Sequence, residues 1–350
     1  MIAWPVASQS GLCLVALSLL ALPAGAEVIV PPGFEVHAYV SGDGFEAGMG
    51  SGMRGIPSTS TLAFDEAGTL YLGRTGRRYT GGEVEDLWPL YRIPLGGARL
   101  TPAMEAQYFY GPPLLNAQVA AMRAGRELFI TTFDRDRKVG AVYRMLGGRA
   151  ELFAGGTPPA GGPPLLVQPE GAAVDAAGNL YVADRAQDVI VRLDPAGRVL
   201  DPRYVSVARP RLMAAGESGH LWIGSDGTAE APWQRGIGEI VKVVAGRAPT
   251  VVLRGPLIAA MAVSPTGHLF VADRQGTRIF FLDSEGKPVE FASFTDGDAP
   301  RSLAFAPITP QTRAGRIAGD LFVVTVNRGA WRVNEVLRIS GPLDAPLRGR

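Results

Sequence analysis

The sequence predicts an all-β protein folded as a six-bladed β-propeller of four-stranded blades. The first observation is a phrase that recurs six times: a glycine, one or two further residues, a leucine, an aromatic residue and an aliphatic residue. The copies lie about 50 residues apart on average, which is typical of one propeller blade. Six copies therefore predict six blades. The aromatic residues of the copies are Tyr71, Phe129, Tyr181, Trp222, Phe270 and Phe322.

A second repeat follows the first in every copy and has the pattern of a third strand. A basic residue recurs at the same strand position in five of the six copies. A catalytic group is used once, whereas a packing solution is used in every blade, so we assign these basic residues a scaffold role. The same argument applies to Asp184 and Asp273, which recur after the second strand and are expected to accept backbone N–H bonds in a turn. The basic residues are Arg92, Arg144, Arg192, Lys242 and Arg338.

The third copy gives the clearest outline of one blade. Its inner strand is predicted at Ala172–Asp175 and its second strand at Leu180–Asp184, joined by a tight turn whose residues suit positive φ. The third strand is predicted at Val189–Leu193, and the outer fourth strand at Arg203–Val207.

The sixth copy lacks a fourth strand, and this is the third observation behind the fold. After Val336–Ile339 the chain offers only a short segment rich in proline and glycine. At the other end, Phe34–Val40 alternates like a strand but belongs to no complete copy. We therefore predict that the N-terminal strand completes blade six and closes the ring, which removes an exposed sheet edge.

The first residues have the pattern of an export signal. Residues 12–22 are almost wholly apolar, and Ala24-Gly25-Ala26 supplies the small residues of a cleavage site. Residues 1–26 therefore predict a secretion signal, and residues 27–350 a single propeller domain in the periplasm or outside the cell. The only cysteine, Cys13, lies in the signal, so the exported chain would have no disulfide.

Composition excludes several classes of partner. The net charge is +1 and only 19% of residues are charged, so there is no concentrated basic face for nucleic acid. No stretch after the signal is apolar and long enough for a membrane helix. We expect a monomer whose partner is a small molecule or another protein.

Two segments carry a resemblance to known propellers. Gly171–Asp175 with Leu180–Asp184, and Met261–Val263 with Leu269–Asp273, resemble NHL-type repeats. The whole chain is similar to the six-bladed group that contains SMP-30/gluconolactonase-like proteins. The segment Pro31–Val36 resembles the start of sugar dehydrogenase propellers of the sorbosone type. The resemblance implies the fold, but this architecture hosts many unrelated activities.

The start of the inner strands is the predicted place for a site. In a propeller these residues surround the mouth of the central channel, so each blade can contribute one group to a shared pocket. Arginine side chains suit carboxylate or phosphate recognition, so this ring predicts an anionic small ligand. The alternative is that Glu170 and Arg211 simply pair across adjacent blades. In blade order the ring positions are Ser60, Gln118, Glu170, Arg211, Ala259 and Arg301.

A metal-dependent lactonase-like hydrolase is the second hypothesis. The gluconolactonase resemblance implies a divalent cation, calcium or similar, held by two carboxylates and an asparagine. Glu170, Asn116 and Asp298 are the candidate ligands, with Glu170 also the candidate catalytic residue. Two nearby arginines would oppose a hard cation, which weakens this hypothesis.

A quinone-dependent sugar dehydrogenase is the third hypothesis. It would need a histidine at the pocket, and none of His37, His220 and His268 has a sequence position that suits this role. His37 lies in the predicted closing strand, whereas His220 and His268 fall in predicted turns. The first hypothesis therefore remains a propeller that binds a small ligand or a protein partner at the channel mouth.

Overall fold

The computed structural model describes residues 28–45, 54–57, 59–74, 87–158, 162–216, 219–229, 236–295, 298–327 and 333–343. The predicted signal, residues 1–26, lies outside these ranges. Within them the chain forms mainly antiparallel sheets arranged as six blades. The predicted all-β, six-bladed fold is therefore confirmed.

Blades one and two each contain four strands joined by three antiparallel pairings. Three strands precede them along the chain, β1 (Val28–Ile29), β2 (Glu35–Gly42) and β3 (Arg54–Gly55). Blade one has the order β4-β5-β6-β8, and a short strand, β7, leaves it to join another blade. These strands are β4 (Thr59–Phe64), β5 (Leu70–Arg74), β6 (Leu87–Ile93), β7 (Ala98–Leu100) and β8 (Phe109–Leu115). Blade two consists of β9 (Gln118–Arg123), β10 (Glu127–Asp134), β11 (Val139–Leu146) and β12 (Arg149–Gly155).

Blades three and four repeat the same order without extra strands. Blade three consists of β13 (Pro169–Val174), β14 (Leu180–Asp184), β15 (Val189–Leu193) and β16 (Val199–Ser206). Blade four consists of β17 (Pro210–Ala215), β18 (Leu221–Ser225), β19 (Gly238–Val243) and β20 (Thr250–Gly255).

Blades five and six receive strands from the N-terminal part of the chain. Blade five consists of β21 (Ile258–Val263), β22 (Leu269–Asp273), β23 (Arg278–Leu282) and β24 (Pro288–Phe294), with β1 added at its outer edge. The remaining strands are β25 (Asp298–Phe305), β26 (Leu321–Asn327), β27 (Val333–Asn334) and β28 (Val336–Ser340). Blade six has the order β25-β26-β28-β2-β7, and β27 pairs with β3.

The N-terminal strand closes the ring, as the sequence predicts. β2 pairs antiparallel with β28, so that Val36 faces Ile339 and Val40 faces Val336. β7 then adds to the outer edge of β2 in parallel orientation. The strand β2 near the N-terminus and the last strand β28 are therefore held in one blade.

The inner strands form a continuous ring. Each of β4, β9, β13, β17, β21 and β25 contacts the inner strand of the next blade, and β25 contacts β4. Six clusters of buried apolar side chains fill the spaces between neighbouring blades. One example joins blades one and six, where the rings of Phe64 and Phe322 meet edge to face with their centroids 4.6 Å apart. The core is thus distributed between blades rather than gathered at one centre.

Aspartate side chains set the hairpin turns on the face opposite the channel mouth. In blade three, Asp175 Oδ1 accepts hydrogen bonds from the backbone N–H groups of Ala177 and Asn179, each at 2.9 Å. Gly178 in the same turn has φ +81°, a conformation that glycine adopts without steric cost. The glycine of the recurring phrase is therefore a turn residue.

One α-helix, α1 (Pro310–Ala314), lies between β25 and β26. Thr309 caps it and also donates from Oγ1 to the carbonyl of Glu66 at 2.9 Å, which joins blade six to blade one. None of the helices in the described ranges is long and apolar enough to cross a membrane.

Candidate functional site at the channel mouth

The six ring positions predicted from the sequence are equivalent in the backbone of all six blades. In each blade one inner-strand residue faces the leucine that begins the second strand, for example Val174 opposite Leu180. The predicted ring residue lies four positions before it in every blade. The repeat therefore places one residue per blade at the same level of the channel.

A β-bulge lies at or near this level in each blade. The extra residue is Arg211 in blade four, Ala259 in blade five and Arg301 in blade six. In blades one and three the irregularity spans the ring residue and the residue after it, and in blade two it lies at Ala120. Bulges leave the extra residue outside the ladder and redirect its side chain. The ring residues can therefore vary without breaking strand pairing.

Glu170 is the buried carboxylate of the ring, with only 8% of its surface exposed. Its two oxygens accept hydrogen bonds from two amides, Gln118 Nε2 at 2.8 Å and Gln168 Nε2 at 2.7 Å. Its backbone carbonyl accepts from Thr131 Oγ1 of blade two. The side chain is therefore fixed by blades two and three together.

Burial raises the pKa of the Glu170 carboxyl above its ordinary value. The two amide hydrogen bonds and the charges of Arg211 and Arg185 act in the opposite direction but are outweighed. Removal of a carboxylate from water disfavours its charged form, and this is the cause of the shift.

Two guanidinium groups share one buried carboxylate beside Glu170. Asp226 is 1% exposed and accepts from Arg185 Nε at 3.0 Å and from Arg211 Nε at 2.8 Å. Arg211 also donates from Nη2 to the carbonyl of Ile258 in blade five. We call these six residues the Glu170 cluster; its members are Gln118, Gln168, Glu170, Arg185, Arg211 and Asp226.

The close approach of β13 and β17 brings Glu170 next to Arg211. A Cβ atom on Gly171 would lie 2.7 Å from the Arg211 carbonyl oxygen, so only glycine fits between the two strands. The expected direct pairing of Glu170 with Arg211 is modified by Asp226, which takes the Arg211 Nε hydrogen bond. Arg211 acts on Glu170 through its charge.

The remaining predicted residues lie elsewhere around the mouth. Ser60 and Ala259 occupy the ring level of blades one and five, and Arg301 that of blade six, where it is half-buried. Asn116, between β8 and β9, donates from Nδ2 to the Phe133 carbonyl at 2.9 Å. Asp298 is buried at the start of β25. Among the residues predicted from the sequence, Gln118 donates a hydrogen bond to Glu170 and Arg211 acts on it through its charge.

Histidine, cysteine, aspartate and glutamate side chains are the candidate metal ligands of the described residues. No group of three or more histidine, cysteine, aspartate or glutamate side chains in the described ranges could hold a metal ion. Glu170 and Asp298 come from blades three and six, which are opposite in a ring of six, and both Glu170 oxygens already accept amide hydrogen bonds. Glu170, Asn116 and Asp298 as ligands of a divalent cation therefore stay a prediction, which the hydrogen bonds of Glu170 do not support.

The three histidines lie away from the ring. His37 is exposed in the outer strand β2 and contacts Glu35 at 3.2 Å. His220 stacks edge to face on Trp222, and His268 contacts Thr266 at 3.0 Å; both belong to turns on the opposite face. These positions do not supply the histidine that a quinone-dependent dehydrogenase site would need.

Gln168, Arg185 and Asp226 belong to the cluster but were not identified as site residues from the sequence. Gln168 precedes β13, whereas Arg185 and Asp226 directly follow the second strands β14 and β18. A signal was present, since the residue after the second strand lies on the mouth face in blades two to five. The pairing between blades that gives these residues their role depends on packing.

The recurring residues assigned to the scaffold make scaffold contacts. Asp184 is buried and accepts from the backbone N–H groups of Val167, Gln168, Ala186 and Gln187 at 2.6 to 3.2 Å. Asp273 accepts from Gly276 in the same manner. The basic residues of the third strands lie over aromatic rings in three blades and pair with carboxylates in two: Arg92 over Tyr110, Arg192 over Tyr181 and Tyr204, Lys242 over Trp222, Arg144 with Glu151, and Arg338 with Asp320.

Comparison with known proteins identifies the fold. No family model and no curated protein matches the chain. Solved structures do match it along most of its length. A candidate gluconolactonase is 14% identical, with a TM-score of 0.53 and coverage of 89% of this chain and 94% of that one. The PQQ-bound aldose sugar dehydrogenase from Streptomyces coelicolor is 15% identical, with a TM-score of 0.54 and coverage of 91% and 99%.

An auxiliary nutrient binding protein from Bacteroides thetaiotaomicron also matches. It is 11% identical, with a TM-score of 0.55 and coverage of 90% of this chain and 77% of that one. At such identities the likeness concerns fold and carries no activity across. The resemblance drawn from the sequence is thus confirmed at the level of architecture: this chain is a six-bladed β-propeller that shares its fold with gluconolactonase-like, sugar dehydrogenase and nutrient-binding propellers.

Proposed function

We propose that this protein binds a small anionic ligand at the channel mouth, beside the Glu170 cluster. The observation that carries the proposal is the fixed pair of guanidinium groups, Arg185 and Arg211, held on the buried Asp226 next to Glu170. Each guanidinium donates from Nε to Asp226, and a guanidinium has five N–H donors in all. Donors that are fixed in advance cost less entropy when a ligand binds.

The charge of the cluster supports an anion rather than a cation. Arg185 and Arg211 share the single carboxylate of Asp226. Burial disfavours the charged form of Glu170, which favours an excess of positive charge beside the channel. Such an excess in a partly dry site attracts a carboxylate or phosphate group, and arginine suits both. The auxiliary nutrient binding protein has a similar fold, which supports a small molecule as the partner.

The same proposal covers the location and state of the protein. The apolar stretch before residue 27 supports export to the periplasm or beyond, with a cleavage site after Ala26. The propeller would then act as a monomeric binding protein. A protein partner at the same mouth is the alternative, and it requires no small ligand.

Isothermal titration of the protein with acetate, citrate, phosphate and gluconate tests the proposal. We expect at least one anion to bind, and Arg211→Gln to weaken it by about tenfold or more, because a charge-assisted hydrogen bond is lost. Arg254→Gln is the matched control, since Arg254 lies in the same blade and pairs with Glu239 at the surface. Equal affinity in wild type and Arg211→Gln would refute the role of Arg211, and no binding by any anion would refute the proposal.

The hydrolase hypothesis is tested by thermal unfolding with divalent cations and a chelator. If a divalent cation stabilises the protein and a chelator reverses the effect, lactone turnover should be measured with and without Glu170→Ala. Loss of turnover in that variant would favour a hydrolase. The anion-binding proposal instead predicts a melting temperature that does not respond to the chelator.

A further inference from the structure

The ring is asymmetric on its blade-five side. Blades four, five and six place Arg211, Ala259 and Arg301 at equivalent bulge positions, so two long cationic side chains flank the smallest side chain among them. Ala259 packs at the edge of the apolar cluster between blades five and six and keeps part of its surface exposed. The smallest of these three side chains therefore lies at blade five, with an arginine in the blade on each side.

The side chain of Arg211 is directed towards blade five. Its Nη2 donates to the carbonyl of Ile258, the residue directly before Ala259, while its Nε is fixed on Asp226 at 2.8 Å. The side chain thus reaches from blade four across to the bulge of blade five. A ligand group bound by Arg211 would lie beside Ala259 rather than on the far side of the channel.

Arg301 holds the equivalent position in blade six, on the other side of Ala259 in blade order. It is the extra residue of the bulge between Pro300 and Ser302, so its side chain leaves the ladder at the ring level. A guanidinium has five donors and can engage a ligand while keeping a protein partner. Two such groups on either side of one small residue are suited to a ligand with an anionic group at each end.

We propose that the ligand carries two anionic groups and lies over blade five, with one group on Arg211, the other on Arg301, and its carbon chain above Ala259. This inference rests on the proposed anion-binding function and specifies its ligand class. Ala259 then acts as the specificity-determining residue, because a larger side chain there would fill the space that the ligand chain needs.

The test compares glutarate with its monomethyl ester, which has nearly the same length but one carboxylate. In wild type we expect glutarate to bind at least about tenfold more tightly, since the ester loses one charge-assisted interaction. Malonate, succinate and adipate then report the distance between the two guanidinium groups. Arg301→Gln should reduce glutarate affinity to that of the ester and leave ester affinity unchanged.

Ala259→Leu provides the second test. We expect it to weaken glutarate by about tenfold or more while circular dichroism and the melting temperature show a folded protein; if this variant does not fold, Arg301→Gln decides alone. Equal binding of glutarate and ester in wild type would overturn the two-anion inference while leaving anion binding at Arg211 intact. A similar loss of both ligands in Arg301→Gln would also overturn it. Failure of every anion to bind wild type would overturn the proposed function itself, and with it this inference.

Discussion

At the scale of single residues, Glu170 combines burial with complete hydrogen bonding. Its two oxygens accept from Gln118 and Gln168, and its pKa is nevertheless raised because burial outweighs these bonds. The consequence for stability has a definite sign. The folded state holds the Glu170 proton more tightly than the unfolded state does, so the free energy of unfolding falls as pH rises from the unfolded pKa towards the raised folded pKa.

Glu170→Gln should therefore remove the pH-dependent decrease in the free energy of unfolding. We expect its melting temperature to approach or exceed that of wild type as pH rises above about 4.5, the region where an unfolded glutamate begins to ionise. Thermal unfolding of both proteins between pH 4 and pH 8 measures the difference. A gap that stays constant across this range would show that Glu170 has the same pKa in both states.

The ring residues were predictable from the sequence, whereas the contact between blades three and four at Asp226 was not. The Leu–aromatic phrase sets the register of each hairpin. The residue four positions before the one that faces its leucine is therefore equivalent in every blade, as Gln118, Glu170 and Arg301 are. Asp226 comes to Arg185 from the next blade, over 41 residues of chain. No local pattern specifies such a contact, because it depends on how two blades pack.

At the scale of elements, the contact of β13 with β17 positions the cluster. Gly171 allows the two strands to approach, and any side chain there would meet the backbone of Arg211 and Leu212. Backbone atoms cannot give way as the tip of a flexible side chain can. The strand contact therefore controls the distance from Glu170 to Arg211.

Gly171→Ala should separate these strands. We expect a loss of about 1 to 3 kcal/mol in the free energy of unfolding, typical of overpacking, and weaker anion binding because Arg211 moves. Urea denaturation and titration measure the two effects. Gly224→Ala is the matched control, since its new Cβ would meet only side chains of Leu212 and Met261, at 3.2 Å or more. Equal effects of both substitutions would contradict a special role for Gly171.

The regular strands were predicted well and the added edge strands were not. The third strand of blade three was predicted at Val189–Leu193, as observed, whereas the outer strand was predicted at Arg203–Val207 and observed at Val199–Ser206. Inner strands are buried on both faces and give continuous apolar runs, while outer strands carry mixed residues. β1, β3 and β7 have two or three residues each, too few for any periodic pattern.

At the scale of the whole molecule, the apolar clusters couple every blade to its neighbours. Each cluster draws side chains from two blades, and the one between blades one and six includes Val40 from the N-terminal strand β2. Closure of the ring therefore belongs to the core. We expect the six blades to unfold together.

Val40→Ala tests this coupling. Val40 is fully buried and faces Val336, so the substitution should cost about 2 kcal/mol through lost burial and the cavity left behind. The melting curve should shift as one transition by far-ultraviolet circular dichroism and by tryptophan fluorescence. Val251→Ala, in the exposed outer strand β20, should change stability by less than about 0.5 kcal/mol. A separate early transition in Val40→Ala would show that blade six unfolds alone.

The bulges at the channel mouth separate binding from folding. In blades four, five and six the ring residue stands outside the hydrogen-bonded ladder, so its side chain can be exchanged while every backbone pair of the blade is kept. The hairpins thus provide a fixed backbone on which the side chains at the channel mouth can be exchanged. An engineer could vary Ala259 and Arg301 in a library and select for new small molecules, leaving the clusters between blades untouched.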